Sequence, residues 1–314
     1  MAAKPSYRLF DITLARRTQV SASLVKFTFT GPDVGYMATY APDQRVKLFF
    51  PKDGGSLDPL FEIAKLEEHD WYGAYRALPD TQRPAARTYT IRALRPENAE
   101  VDVEFVLHGD NGPASRWAMH AQPGDRLAMT APDATAEGPA QGYEWKPPQG
   151  VRRILLIADE TALPAAAGIQ ETLDDLPLKP KVEALLEVPH LDDVQSLPQA
   201  AKLHWLARDT EPSCRHGELL MRALRDIDLH REIQALGGAP ATPTTSATTH
   251  DESDDEDGPL WEPATLDDSA PFYAWIAAET KVAMKLRRYL VNECGLPKQY
   301  VTSMGYWRQG KANG

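Results

Sequence analysis

The stretch Pro147–Leu176, PPQGVRRILLIADETALPAAAGIQETLDDL, is where the chain changes character. Pro147-Pro148-Gln149-Gly150 reads as a linker. Ile154–Ala158 is a short unbroken apolar run, and it leads through a turn into a helix-like segment. Further along, KVEALLEV (181–188), KLHWLAR (202–208) and FYAWIAAE (272–279) are runs of the same kind. The helical patterns HGELLMRALRDI (216–227) and TKVAMKLRRYLVNECG (280–295) lie between or after them. Strands interleaved with helices in this way predict a parallel α/β sheet.

Upstream of the linker the pattern is all-β. LVKFTFTG (24–31), RVKLFFP (45–51), ARTYTIRAL (86–94), VDVEFVLHG (101–109) and GDRLAMTAP (124–132) are alternating or β-branched runs bounded by Gly, Pro and Asp turn signals. Such spacing suits a small antiparallel barrel. The expected organisation is therefore two-domain: a β-barrel over 1–146, with an insertion at about 52–85 carrying a short helix around Ile63–Tyr75, and an α/β domain over 151–314. A second insertion, about 237–269, is rich in Pro, Thr and Ser and holds six acids within Asp251–Asp257, so it is expected to be a disordered surface segment.

Composition bounds the function. The chain has 314 residues, 42% of them apolar, and no run near the roughly 20 apolar residues that span a bilayer, so no membrane insertion is expected. Its start lacks a signal-peptide core, which predicts a cytoplasmic location. Only Cys214 and Cys294 are present, with no metal-type spacing, so redox chemistry would rest on an organic cofactor. A formal net charge of −11 argues against general nucleic-acid binding.

Within the third barrel run, Arg87-Thr88-Tyr89-Thr90-Ile91-Arg92 alternates without presenting a wholly apolar face. On the residues alone it is either an exposed edge strand or the floor of a site. Likewise HGDNGPAS (108–115) sets two glycines and a proline before a helix start, a pattern open to an anion or to an ordinary capped turn. At DETA (159–162) a strand end meets a helix start without a glycine-rich fingerprint, and on the residues alone this is a capped helix.

Five segments in order give the resemblance. Arg87-x-Tyr89-Thr90 resembles the flavin motif of the ferredoxin-reductase superfamily. VKLFFP (46–51), VLHGDNGPASRWA (106–118), ADETALPA (158–165) and GYWRQG (305–310) narrow it to the siderophore-interacting protein family of flavin-dependent ferric-siderophore reductases. The resemblance runs from about Val20 to Gly310, outside the two insertions. It implies noncovalent FAD on the barrel, NAD(P)H on the α/β domain and a ferric siderophore as electron acceptor. It assigns Arg87 to a phosphate, Tyr89 to the isoalloxazine ring, Thr90 to the flavin near N5, and His108, Gly109, Gly112, Ala114 and Ser115 to FAD. It assigns Asp159, Thr161 and Ala162 to the nicotinamide nucleotide, with Thr161 on phosphate, and Trp307 to the flavin pocket. Lys47 and Arg308 are the candidates for an anionic siderophore; Arg208 is a candidate for a 2′-phosphate, although a solvent-exposed surface position is the first expectation for it. Ala278-Glu279 stands where the family usually has Gly-Glu, so a different loop is expected there. A monomer with no catalytic acid or base is expected. Three other functions stay open: a general flavin or NAD(P)H reductase with another acceptor, a non-catalytic siderophore-binding module, and a regulatory partner protein acting through the acidic segment 237–269.

Overall fold

Phe10, Ile12 and Leu14 alternate with polar residues, and the same period of two recurs at Val25, Phe27 and Phe29 and at Val101, Val103 and Phe105. In the computed structural model, which describes residues 6–52, 55–65, 71–107, 109, 112–139, 141–198, 200–235, 261–265 and 268–310, these side chains fill a closed barrel. Its strands are β1 (Tyr7–Gln19), β2 (Leu24–Thr30), β3 (Arg45–Phe50), β4 (Ala85–Arg95), β5 (Glu100–Val106) and β6 (Arg126–Pro132), all antiparallel and ordered β1-β2-β5-β4-β3-β6. The 13-residue β1 is absent from the five strands read in sequence. Arg8, Asp11, Arg16 and Arg17 dilute its apolar signal.

Between β3 and β4 the insertion forms two short helices, α1 (Asp58–Ala64) and α2 (Trp71–Ala77), where one helix around 63–75 was expected. Leu57, Leu60 and Tyr75 cover Phe49, Ala86 and Ala128 on the outer barrel face. Between β5 and β6 lies α3 (Pro113–His120), packed on β3, β4 and β5. Its anchor is Trp117, whose ring meets Phe27 at 5.6 Å, Phe50 at 5.7 Å and Phe29 and Phe105 at 6.0 Å.

The chain divides into two compact units, with the break between Tyr143 and Glu144, a few residues before Pro-Pro-Gln-Gly. The second unit is a six-stranded sheet ordered β10-β12-β11-β7-β8-β9. β7 (Arg153–Ala158), β8 (Lys181–Val188), β9 (Lys202–Ala207), β11 (Phe272–Glu279) and β12 (Val301–Trp307) are parallel. β10 (Trp261–Glu262) runs antiparallel at the β12 edge, so these two residues of the segment expected to be disordered form a strand. The rest of the acidic run, Asp251–Asp257, lies outside the described residues. Every residue of β7 and β11 is buried, which a continuous apolar run in a two-faced parallel sheet requires. The helices are α4 (Leu163–Asp174), α5 (Glu218–Arg225), α6 (Leu229–Ala235) and α7 (Thr280–Arg288), the last running on into a π-helical turn at Tyr289–Glu293. No helix among the described residues is long and apolar enough to cross a membrane.

Gly305 marks a close approach between β12 and the start of α7. A Cβ there would lie 2.5 Å from Thr280 Oγ1 and 3.1 Å from Thr280 Cα, and the same hydroxyl donates to the Trp307 carbonyl (2.8 Å). Gly305→Ala is therefore expected to cost about 1–3 kcal/mol of stability by overpacking, read as a lower urea midpoint at unchanged slope.

Candidate functional site

On the barrel, β4 settles which face of RTYTIR points where. Val46 stands opposite Tyr89 and Leu48 opposite Arg87, while Lys47 stands opposite Thr88 and Arg45 opposite Thr90. Directly opposed residues share a face, so Arg87 and Tyr89 lie on the core side and Lys47, Thr88 and Thr90 on the other. Arg92 is the extra residue of a bulge between Ile91 and Ala93, and it meets Glu104 at 3.6 Å.

Tyr89 packs on Phe105 (4.2 Å between centroids) and Phe50 (6.5 Å), the two rings that also carry Trp117. Shared packing thus brings the Arg87–Tyr89 face and α3 together. Burial holds the Tyr89 phenol neutral, well above its usual range. Arg87 is half-buried, and burial pulls its guanidinium down from the ordinary value. Its Nη1 donates to the Ala86 carbonyl at 2.7 Å, and among the described residues it has no carboxylate partner. A partly desolvated guanidinium without a counter-charge is an anion site in waiting.

At the start of α3, Gly112 makes no side-chain cap and Pro113 has no N–H. The first N–H to close a helical bond is that of Arg116, on the Gly112 carbonyl at 2.9 Å, which leaves those of Ala114 and Ser115 at the open end of the helix. Gly109 is left-handed (φ 76°), and a Cβ at Gly109 or Gly112 would meet nothing within 4 Å, so the backbone there is open to a close neighbour. His108 lies outside the described residues. Arginine fork, open helix start, accessible glycine backbone and aromatic ring together fit a dinucleotide carrying a flat ring system. Lys47 lies on the outer face, 4.8 Å above the Tyr72 ring with Nζ 3.4 Å from its hydroxyl, and the fold does not bring it to Tyr89. Thr90 is buried on that same side.

The second unit gathers its polar groups at the carboxyl edge of the parallel sheet. The strand order reverses between β7 and β11, the place where α/β sheets form a ligand crevice. Asp159, directly after β7, is fully buried. Its Oδ1 accepts from Thr161 N (2.9 Å) and Oγ1 (2.5 Å), and its Oδ2 from Glu279 N and Trp307 Nε1 (both 2.8 Å). One carboxylate therefore ties together the ends of β7, β11 and β12. Burial, with Glu160 beside it, pushes its pKa up to about 6.

Glu160 is gripped by both arms of Arg208, at 2.7 and 2.9 Å. Burial alone would raise its pKa, but His216 and Arg208 outweigh this and hold it at about 2. Arg208 also reaches Glu187 at 3.1 Å. Glu187, fully buried in β8, accepts from Gly217 N (2.7 Å) and Leu220 N (3.3 Å) at the start of α5. Glu279 caps α7 by accepting from Lys281 N (2.7 Å) and Val282 N (3.1 Å). At this edge the helix starts are thus filled by the chain's own carboxylates.

Several expectations change here. Thr161 directs its N–H and its hydroxyl at Asp159, so neither donor faces a phosphate. Ala162 is buried, with its N–H on the Asp159 carbonyl. Arg208 is neither exposed nor free for a 2′-phosphate. Ala278 has no positive φ, and the β11–β12 register shifts beside it, Ala278 pairing with Gly305 and Glu279 with Trp307 so that Tyr306 is the extra residue. Trp307 is held at the edge, and Arg308 follows it half-buried, with no ion pair among the described residues. Asp159, Glu160 and His216 have ligand-type atoms within 4.8 Å of one another. Four donors already occupy Asp159 and Arg208 occupies Glu160, so this set does not fit a metal ion. Sequence reasoning passed over Glu187 and His216. A lone acid deep in the apolar KVEALLEV was the available signal for the first, and nothing local marked the second.

Comparison with known proteins covers both units. The siderophore-interacting FAD-binding domain family matches residues 13–136, and the siderophore-interacting protein family matches residues 151–310. The ferric vibriobactin reductase ViuB of Vibrio cholerae is 23% identical over 309 residues, 97% of this chain and 90% of that one. An NADPH-dependent ferric-chelate reductase of Escherichia coli is 30% identical over 208 residues, 65% and 73% of the two chains. The crystal structure of a siderophore utilization protein from T. fusca superposes with a TM-score of 0.64 at 26% identity, covering 98% of this chain and 96% of that one.

Proposed function

We propose a ferric-siderophore reductase: the chain belongs to the siderophore-interacting protein family, and its barrel has the features that a flavin dinucleotide needs. The carrying observation is Arg87, a half-buried guanidinium with no acid partner among the described residues, on the strand face that also presents Tyr89 beside α3. Arg87 and the Ala114 and Ser115 N–H groups hold the pyrophosphate, and Gly109 and Gly112 let the backbone approach it. Tyr89 gives the ring system a neutral aromatic wall. Bound FAD supplies the chemistry that this chain lacks, accepting a hydride and delivering single electrons to Fe(III).

NAD(P)H is the proposed donor, assigned to the carboxyl edge of the second unit around Asp159 and Trp307. Arg208 is bound to Glu160 and Glu187 and so is not free for a 2′-phosphate, which supports little discrimination by this residue between NADH and NADPH. The acceptor is an anionic Fe(III) chelate, and Lys47 and Arg308, neither ion-paired among the described residues, are the cations proposed to attract it.

The test is a visible spectrum of the purified protein under anaerobic conditions. Flavin bands that bleach with NADH or NADPH and return as Fe(II) appears on adding a ferric siderophore are the expected result. A protein that acquires no flavin bands after incubation with FAD would leave only a siderophore-binding module. Bands that return with free flavin but not with iron chelates would favour a general flavin reductase.

A further inference from the structure

His216 sits just before α5, in the middle of the buried carboxylates, and it takes no part in the proposed binding of either cofactor. Its Nε2 lies 3.5 Å from Asp159 Oδ2, 3.5 Å from Glu160 Oε2 and 3.9 Å from Glu187 Oε1. Both ring nitrogens are buried without a hydrogen-bond partner. The imidazole stands edge-on to the Trp307 indole, 5.1 Å between centroids at 82°, and that indole N–H donates to the same Asp159 oxygen that faces His216.

The charges around it are unbalanced. Three carboxylates converge, and the one guanidinium among them, Arg208, is shared by Glu160 and Glu187. Asp159 meets neutral donors on every side except His216. Glu279, at the end of β11, turns its carboxylate to the start of α7. On the segment of His216 itself, the Arg215 N–H is tied to Glu218. Along the groove of about 420 Å³ that His216 borders, Glu218, Arg222 and Arg225 come from α5, Asp226 follows it, and Lys285 comes from α7. A neutral imidazole would leave the Asp159 charge buried with no cation against it.

We propose that His216 is a positioning residue for Trp307: as the imidazolium it fixes the Asp159 carboxylate and the indole in one arrangement, and loss of its proton frees the ring. The pKa direction agrees with this geometry. Burial by itself would lower the His216 value, but Glu160, Asp159 and Glu187 raise it above the ordinary 6.5. The lock is present below that raised value and is lost as pH rises through it. On the acid side, Asp159 takes up a proton near pH 6 and weakens its hold on both partners. Trp307 is thus held most firmly in the window between these two titrations.

The experiment needs neither cofactor nor substrate, so it stands apart from the reductase assignment. Trp307 emission, taken as wild type minus Trp307→Phe, is followed from pH 5 to 9.5, alongside the ring resonances of His216 by NMR. Expected are an imidazole titrating above 6.5, an emission change at the same midpoint, and loss of that alkaline change in His216→Gln. An imidazole titrating at or below 6.5 would overturn the proposal, and so would an alkaline transition that persists in His216→Gln at the same midpoint.

Discussion

Arg87→Ala is expected to purify as a folded, colourless protein. The guanidinium makes no ion pair among the described residues and meets only the Ala86 carbonyl, so its loss removes a desolvated charge and one backbone contact. Thermal stability should hold or rise slightly. Flavin binding should not hold. Two charge-assisted hydrogen bonds to a phosphate are worth about 1.5–3 kcal/mol each, so FAD affinity is expected to fall by roughly 10²–10⁴-fold. Arg87→Lys keeps the charge but loses the planar fork, and an intermediate loss of about tenfold is expected. Titration of the apoprotein with FAD, with a melting curve beside it, reads both quantities. Wild-type FAD affinity in a folded Arg87→Ala protein would remove Arg87 from the flavin site.

The contrast between Arg87 and the second unit shows how much of the molecule was legible in sequence. Alternation announced β2 to β6 as strands, and the unbroken Ile154–Ala158 run announced a two-faced parallel sheet, because each depends on near neighbours in the chain. The same rule was available at Phe10, Ile12 and Leu14, but flanking charge hid β1. RTYTIR showed its chemistry but not which way it faced. The register against β3 was needed to set Tyr89 on the core side and Lys47 on the other. Asp159 was visible as a helix start, whereas its distant partners come from the ends of β11 and β12 and from the segment before α5, far apart in sequence. Only the parallel strand order brings Glu187, Arg208, His216 and Trp307 to one edge. The DETA stretch, assigned by resemblance to a nicotinamide nucleotide with Thr161 on phosphate, supplies in the fold two buried carboxylates of an internal charge network.

That network carries the largest expected stability effect. Arg208→Ala leaves Glu160 and Glu187 buried without their guanidinium, and breaking a buried ion pair from one side costs about 3–5 kcal/mol. The loss should appear in urea as early unfolding of the second unit, with the barrel less affected. The pH dependence identifies the cause. The Glu160 carboxyl is held at about 2 against an ordinary 4.5, so its contribution is present above 4.5 and fades as pH falls towards 2. Wild type should therefore lose stability across that interval. The variant, already deprived of most of the contribution, should lose less, and the two curves should converge as the solution is acidified. A gap that stays constant from pH 7 to 3 would mean that Arg208 acts through packing of its stem rather than its charge. The same variant tests nucleotide choice. With the guanidinium bound inside the chain, the ratio of kcat/KM for NADPH to that for NADH should be unchanged in the folded protein. A fall of tenfold or more would mean that Arg208 leaves its carboxylates to meet a 2′-phosphate.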